Sequence, residues 1–484
     1  MVDDMGWMDT SVPFHDSMMP LNQIYHTPHM EKLAGGGVKF SNAYSQPVCT
    51  PTRVSYLTGM NAARTHITNW ISPHQNRTSD AADDQFEPLD WNMNGMSKDS
   101  GTDHTLHATP FPLLLQENNY HTIHIGKAHW GSMGTPGSDP LNLGFMINIA
   151  GHAGGHPQSY LSEDRYGNIP GKALPQAVPD LEKYYDQEIF LTEALTLEAI
   201  KAMEKPIEQG KQFFLNISHY ALHTPIMADD RFVQKYYEAG IDSIEARYAS
   251  LIEGMDKSLG DIMKFLEAKN QADNTIIIFM SDNGGLDHHQ RGGAVNTHNH
   301  PLRSGKGSIY EGGIRVPMII KWPGLETMGT TIDEPVIIED FFPTILEMAN
   351  IETKDFFQTT DGTSLVPILK NSNLSLEERP LIFHYPHKWI NISPDENFGI
   401  NYYSAIRFKN WKLVYRMRNQ TFELYDLSAD LREQNNLIDL YPEKVEELAS
   451  LLGKTLKSRN AQMPLFKTTG KPVPFPDEII LTKK

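Results

Sequence analysis

The 484-residue chain reads as an α/β protein with a large mixed, mainly parallel sheet flanked by helices, followed by a smaller antiparallel sheet carrying one helix. Three observations lead there. Several apolar runs are strand-length and barely alternate with polar residues, which suits strands buried on both faces. Longer stretches between them carry apolar residues at helical spacing, and strands alternating with helices build an open sheet. Beyond about residue 380 the runs shorten and follow one another through turn-like pairs such as Lys409-Asn410, as in an antiparallel meander.

In chain order, the first such strand is His121 to Gly126, which leads into Lys127-Ala128-His129-Trp130-Gly131. A helix is expected over Ile189 to Glu204, then a strand over Gln212 to His219 that runs to His223-Thr224-Pro225. A second helix, Ile244 to Ala268, precedes a strand over Thr275 to Met280 and the turn Ser281-Asp282-Asn283-Gly284-Gly285. Another buried strand is expected at Val316 to Ile320. Leu381 to Phe383, Tyr403 to Arg407, Trp411 to Tyr415 and Phe422 to Asp426 are the short C-terminal strands, and Pro442 to Lys457 is the helix laid against them. The expected boundary separates residues 1–375 from 376–484. The polar span from Asn69 to Thr105 is long for a connection and reads as an insertion or a substrate-facing excursion.

With 39% hydrophobic and 21% charged residues, the chain has ample material for a folded core. The formal charge of −18 argues against a general nucleic-acid binder, which needs a basic footprint, so an anionic substrate would require a locally positive pocket. No apolar run approaches the length of a membrane span, and the opening Met1-Val2-Asp3-Asp4 has neither the basic nor the apolar region of a signal peptide.

Cys49 is the single cysteine, so an intramolecular disulfide is excluded and a reactive or simply buried thiol remains. Asp3-Asp4 and Asp282-Asn283 offer hard oxygen donors of the kind that suit Ca²⁺ or Mg²⁺. Either pair alone is an ordinary loop or turn; their position at strand ends beside one site gives them weight. Arg53, Lys127, His129, His223 and Lys306 form a cationic set whose members, taken singly, are unremarkable surface or core residues.

The string Cys49-Thr50-Pro51-Thr52-Arg53, followed by Leu57-Thr58-Gly59, resembles the maturation motif of the type I sulfatases. The order Asp3-Asp4, Thr27-Pro28 to Phe40, Asn42-Ala43-Tyr44, Gly126-Lys127-Ala128-His129, His223-Thr224-Pro225, Ser281-Asp282-Asn283-Gly284, Gly305-Lys306-Gly307 and Glu311-Gly312-Gly313 is similar to that family along nearly the whole chain. The resemblance implies an alkaline-phosphatase-like fold, with a catalytic domain over 1–375 whose first central strand is reduced to Met1-Val2. It implies a formylglycine derived from Cys49 by a formylglycine-generating enzyme, and Ca²⁺ (or Mg²⁺) held by Asp3, Asp4, Asp282, Asn283 and residue 49. Arg53 and Lys127 would support the formylglycine, His129 would handle its protons, and His223 and Lys306 would face the sulfate and leaving oxygen. A periplasmic or secreted setting is part of the same implication.

For such an enzyme the expected substrate is a sulfated carbohydrate. Gly6-Trp7-Met8-Asp9-Thr10, Thr58 to Arg64 and Asn69-Trp70 look like bacterial sulfatases that remove 4-O-sulfate from galactose or N-acetylgalactosamine. His152, Asn299, Arg303 and His384, from three His-rich stretches, are the substrate candidates, and Trp70 or Trp389 could stack on a sugar face. Two alternatives stand beside this one: a phosphate or phosphonate ester hydrolase of the same superfamily, and a non-catalytic glycan-binding relative.

Overall fold

The computed structural model describes residues 1–287, 299–352, 356–389 and 399–479. Its central layer consists of two half-sheets. In the first, β2 (His121–Gly126) lies between β3 (Ile147–Ile149) and β4 (Phe213–Ser218), and all three strands are parallel. The second half-sheet is mixed and has four strands. Here β1 (Val38–Phe40) runs parallel to β7 (Thr331–Ile332) but antiparallel to β6 (Met318–Lys321), which is antiparallel to β5 (Ile277–Met280). The parallel character expected from the apolar runs therefore holds in one half, and the other half adds β1 and β7, which are too short to stand out in the sequence.

Met1 and Val2 tie the halves together. The Met1 nitrogen donates to the Ile217 carbonyl at 2.8 Å, and the Val2 amide donates to the Met280 carbonyl at 3.0 Å. Val2 and Ser281 form a parallel bridge, so β4 and β5 point the same way and their carboxyl ends share one edge. Behind that bridge a cavity of about 510 Å³ separates the two strands, walled by Phe213, Leu215, Ile277 and Phe279.

Helices cover both faces. Helix α3 (Leu191–Glu208) packs on the parallel half and on α4 (Ser243–Ala268), while α1 (Pro28–Gly35) packs on α4 and β6. The Asp242 carboxylate caps α4, accepting from the Ile244 and Glu245 amides, which would otherwise be unpaired donors of the first turn. On the other side lie α2 (Cys49–Thr58) and α5 (Phe341–Met348), with Tyr56 edge-on to Phe341. Strands β8 (Leu381–Tyr385), β9 (Tyr403–Phe408), β10 (Trp411–Arg416) and β11 (Thr421–Asp426) form the antiparallel C-terminal sheet, covered by α6 (Pro442–Ser458). The polar span 69–105 contains three short strands, Phe86–Glu87, Gly95–Ser97 and Thr105–His107. No described helix is long and apolar enough to cross a membrane.

Candidate active site

Arg53, Lys127, His129, His223 and Lys306 gather with Asp3, Asp4, Asp282 and Asn283 at the edge where β2, β4 and β5 end, where the loops of an open α/β sheet converge on a ligand. Cys49 opens α2, and all ten residues of that helix are buried. Pro51 is tolerated because it falls in the first turn, where the amides have no helical partner. Arg53, four residues on, shares the face of Cys49. Its guanidinium donates to Asp282 Oδ2 through Nε at 2.9 Å, and through Nη1 to the Lys127 carbonyl and Ser218 Oγ. The helix start therefore presents residue 49 to the site while Arg53 locks it to three other elements.

Lys127 and His129 follow β2. Gly126 there has φ +93°, and a Cβ would lie 2.1 Å from the Ser218 carbonyl oxygen, so only glycine permits this close passage beside β4. The buried Lys127 Nζ donates to Asp3 Oδ2 at 2.7 Å. His129 Nε2 faces the Ile71 carbonyl at 2.8 Å, which fixes the proton on that nitrogen. Its Nδ1 lone pair then faces Cys49 Sγ at 3.5 Å and Thr50 Oγ1 at 3.3 Å. Burial and the Lys127 charge push the His129 pKa well below the ordinary value, so the ring is a neutral base aimed at residue 49.

His223, beyond β4, lies 3.6 Å from Asp4 Oδ2 through Nε2, and its Nδ1–H donates to the Thr224 carbonyl. Burial and Lys306 keep its pKa low. The Lys306 ammonium pairs with Asp4 Oδ1 at 2.5 Å. The loop holding Lys306 is pinned at both sides, since the Lys306 amide donates to the Gly285 carbonyl and the Gly307 amide to the Pro47 carbonyl, just ahead of Cys49.

The oxygen donors meet the chemistry of a divalent cation. Asp3, Asp4 and Asp282 each place a carboxylate oxygen within 4.8 Å of the others, all fully buried. Asp3 Oδ1, Asp4 Oδ2 and Asn283 Oδ1 have no hydrogen-bond partner among the described residues, a costly arrangement for buried acceptors unless a cation completes it. Burial and the Asp282 and Asp4 charges outweigh Lys127 and drive the Asp3 pKa well up, as expected where carboxylates crowd without such an ion. For Asp4, burial acts upward too, yet Lys306, His223 and Lys127 prevail and hold it below the usual carboxylate range. These donors suit Ca²⁺.

The substrate candidates fall in different places. His152 stands against the site, its carbonyl accepting from the His129 amide at 3.2 Å. Asn299 is 2% exposed and spends its amide on Gly285 and Ser304, so it braces the Lys306 loop. Arg303 stacks on Tyr310 at 3.7 Å and donates to the Tyr425 hydroxyl and the Glu433 carbonyl. His384 is buried in the C-terminal sheet between Ser404 Oγ and the Gln462 carbonyl. Trp389 packs on Gly307, where a Cβ would come within 1.8 Å of its ring, and Trp70 is half-buried. Residues 296–298 of the second His-rich stretch lie outside the described residues. Sequence reasoning did not single out Thr50, Ser218 or the Ile71 carbonyl, whose types carry no signal, nor did it separate His156 from its stretch.

Family models and curated relatives identify the chain as a sulfatase. A family model described as Sulfatase matches residues 1–351, and one described as N-sulphoglucosamine sulphohydrolase, C-terminal, matches residues 304–462. A protein named "Sulfatase" from Formosa agariphila is 27% identical over 531 residues, covering 100% of this chain and 92% of that protein. Human N-acetylgalactosamine-6-sulfatase is 29% identical, covering 83% of this chain and 73% of its own. The crystal structure of Ps i-CgsB in complex with k-i-k-neocarrahexaose superposes with a TM-score of 0.72 at 26% identity, covering 94% of this chain and 91% of that one.

Proposed function

Since the chain belongs to the sulfatase family and is a sulfuric ester hydrolase, we propose that its substrates are sulfate monoesters of carbohydrate and that its nucleophile is a formylglycine made from Cys49. One observation carries this reading. Residue 49 sits at a helix start 3.5 Å from a neutral His129 Nδ1, ringed by Arg53, Lys127, His223, Lys306 and the orphaned oxygens of Asp3, Asp4 and Asn283.

The chemistry needs that ring. A sulfate monoester is an anion whose bridging oxygen gains charge as the S–O bond breaks, so fixed cations stabilise the transition state. Lys127 and Lys306 are buried and paired with carboxylates, so they cost no reorganisation during reaction. Ca²⁺, held by Asp3, Asp4, Asp282 and Asn283, would add positive charge where the sulfate oxygens bind. A formylglycine at residue 49, once hydrated, would supply the nucleophilic oxygen and a second hydroxyl by which the site could be reset. His129 Nδ1 takes a proton from the oxygen at residue 49. His223 offers Nε2 toward the leaving oxygen, and a bound sulfate beside Lys306 raises its proton affinity by offsetting the cations that depress it.

The sequence points to the 4-O position of galactose or N-acetylgalactosamine, whereas the 6-sulfatase named among the relatives favours 6-O. The test is sulfate release by protein co-expressed with a formylglycine-generating enzyme, after mass spectrometry of the Cys49 peptide has established the aldehyde. The substrates are 4-O- and 6-O-sulfated N-acetylgalactosamine and the matching phosphate esters. Strong preference for sulfate over phosphate supports the proposal. Matured protein that releases no sulfate from either sugar, or that prefers phosphate, overturns it.

A further inference from the structure

Outside the residues already assigned, the loop Gly151 to Pro157 contributes a second histidine to the wall of the site. The His156 ring stacks on the ring of His223, with centroids 5.3 Å apart and planes 14° from parallel. Its neighbour Gly155 lies so close to His129 that a Cβ would fall 2.6 Å from that ring. The loop therefore spans both catalytic histidines, and His156 lines the wall beside His223, where the bridging oxygen of a sugar sulfate would be protonated.

His156 differs from His129 and His223 in what its free nitrogen faces, since His129 Nδ1 lies 3.5 Å from Cys49 Sγ and His223 Nε2 lies 3.6 Å from Asp4 Oδ2. His156 Nδ1 lies 3.0 Å from the Pro157 carbonyl, an obligatory acceptor, so Nδ1 carries a proton. Burial, aided by the charges of Lys127 and Lys306, holds the pKa of the half-buried ring below its ordinary value, so the ring is neutral and Nε2 is a lone pair. No described residue hydrogen-bonds that Nε2. Lys127, Lys306 and Arg53 are donors only, suited to sulfate oxygens. A lone acceptor beside them suits a group that donates, which a sugar hydroxyl can do and a second sulfate cannot.

We propose that His156 is a specificity residue whose Nε2 accepts a hydrogen bond from a free hydroxyl of the sugar ring bearing the scissile sulfate. This rests on the reading of the site as a carbohydrate sulfatase. The test compares matured wild-type enzyme with His156→Phe, which keeps the stacked ring and loses the acceptor. The substrates are a sulfated sugar and 4-nitrophenyl sulfate, which has no hydroxyl. The expected result is a loss of about 10- to 100-fold in kcat/KM for the sugar, the scale of one unpaired polar contact in a binding site, and less than about threefold for the aryl sulfate. Equal losses on both substrates, or none on the sugar, overturn the proposal. A second measurement needs no variant: on wild-type enzyme, sugar sulfates O-methylated at each free hydroxyl in turn should include one with the same loss, and uniform rates across the set would refute the contact. Wild-type protein that hydrolyses neither substrate instead removes the sulfatase reading beneath it.

Discussion

His223 and His129 are both neutral rings, yet their hydrogen bonds give them different work. His129 has its lone pair turned to residue 49, so its value lies in accepting a proton there. His223 has its Nδ1–H bound to the Thr224 carbonyl and Nε2 toward the Asp4 carboxylate, so it is the ring placed to protonate a leaving oxygen. A sugar alkoxide is a poor leaving group and needs protonation; a nitrophenolate does not. His223→Gln is therefore expected to cut kcat on sugar sulfates by about 10²- to 10⁴-fold, the range of general acid catalysis, and on 4-nitrophenyl sulfate by far less. Matched kinetics on the two substrates check this, and equal losses would remove His223 from the acid role. Cys49→Ser should retain no turnover on either, because a serine at the helix start cannot supply the second hydroxyl. Mass spectrometry together with sulfate release measures it.

At the scale of elements, a loop and a helix junction each carry a consequence. Gly307 has φ +87° and packs under Trp389, while its amide ties the Lys306 loop to Pro47. Gly307→Ala must displace that loop, so activity should fall more than tenfold while the melting temperature drops only a few degrees; scanning fluorimetry beside the kinetic assay separates the two. Glu339, just ahead of α5, is fully buried with Oε1 on Asn61 Nδ2 and Oε2 unpaired. Burial, only partly offset by Arg459, pushes its pKa up to about 7 from 4.5. The folded protein thus binds a proton more tightly than the unfolded chain, so this stabilisation is complete below pH 4.5 and is lost as pH rises through about 7, a swing of roughly 3 kcal/mol. Glu339→Gln should raise the melting temperature relative to wild type at pH 8.5 and not at pH 5, and parallel pH profiles would contradict it. Neither device was legible in the sequence. Long elements were: β2 and β4 and the helices α3, α4 and α6 fall within a few residues of their periodic signals. The missed β1 and β7 span two or three residues, too short for a period of two to register.

For the whole molecule, the decisive fact is that the oxygen donors come from places far apart in the chain. Asp3 and Asp4 stand 278 residues or more before Asp282 and Asn283, and the link between them runs through Met1 and Val2, wedged between β4 and β5. The sequence could show that these residues had the right types at strand ends. It could not show that three of their oxygens remain unpaired, because that depends on how Lys127, Lys306 and Arg53 divide themselves among the carboxylates. His384 and Arg303, which the sequence offered only as substrate candidates from His-rich stretches, both find hydrogen-bond partners in the C-terminal half. A cation shared by the donors would bind the folded chain and not the unfolded one, and would clamp the two half-sheets at their common edge. At a hundredfold excess over its Kd such an ion adds about 2.7 kcal/mol. Dialysis against a chelator should therefore lower the melting temperature by several degrees, Ca²⁺ should restore it, and Mg²⁺, which demands a tighter octahedral shell, should restore less. Asp282→Asn should abolish the Ca²⁺-dependent shift while removing part of the Arg53 ion pair. A melting temperature that is the same in chelator and in millimolar Ca²⁺ would show that the orphaned oxygens of Asp3, Asp4 and Asn283 do not hold an ion.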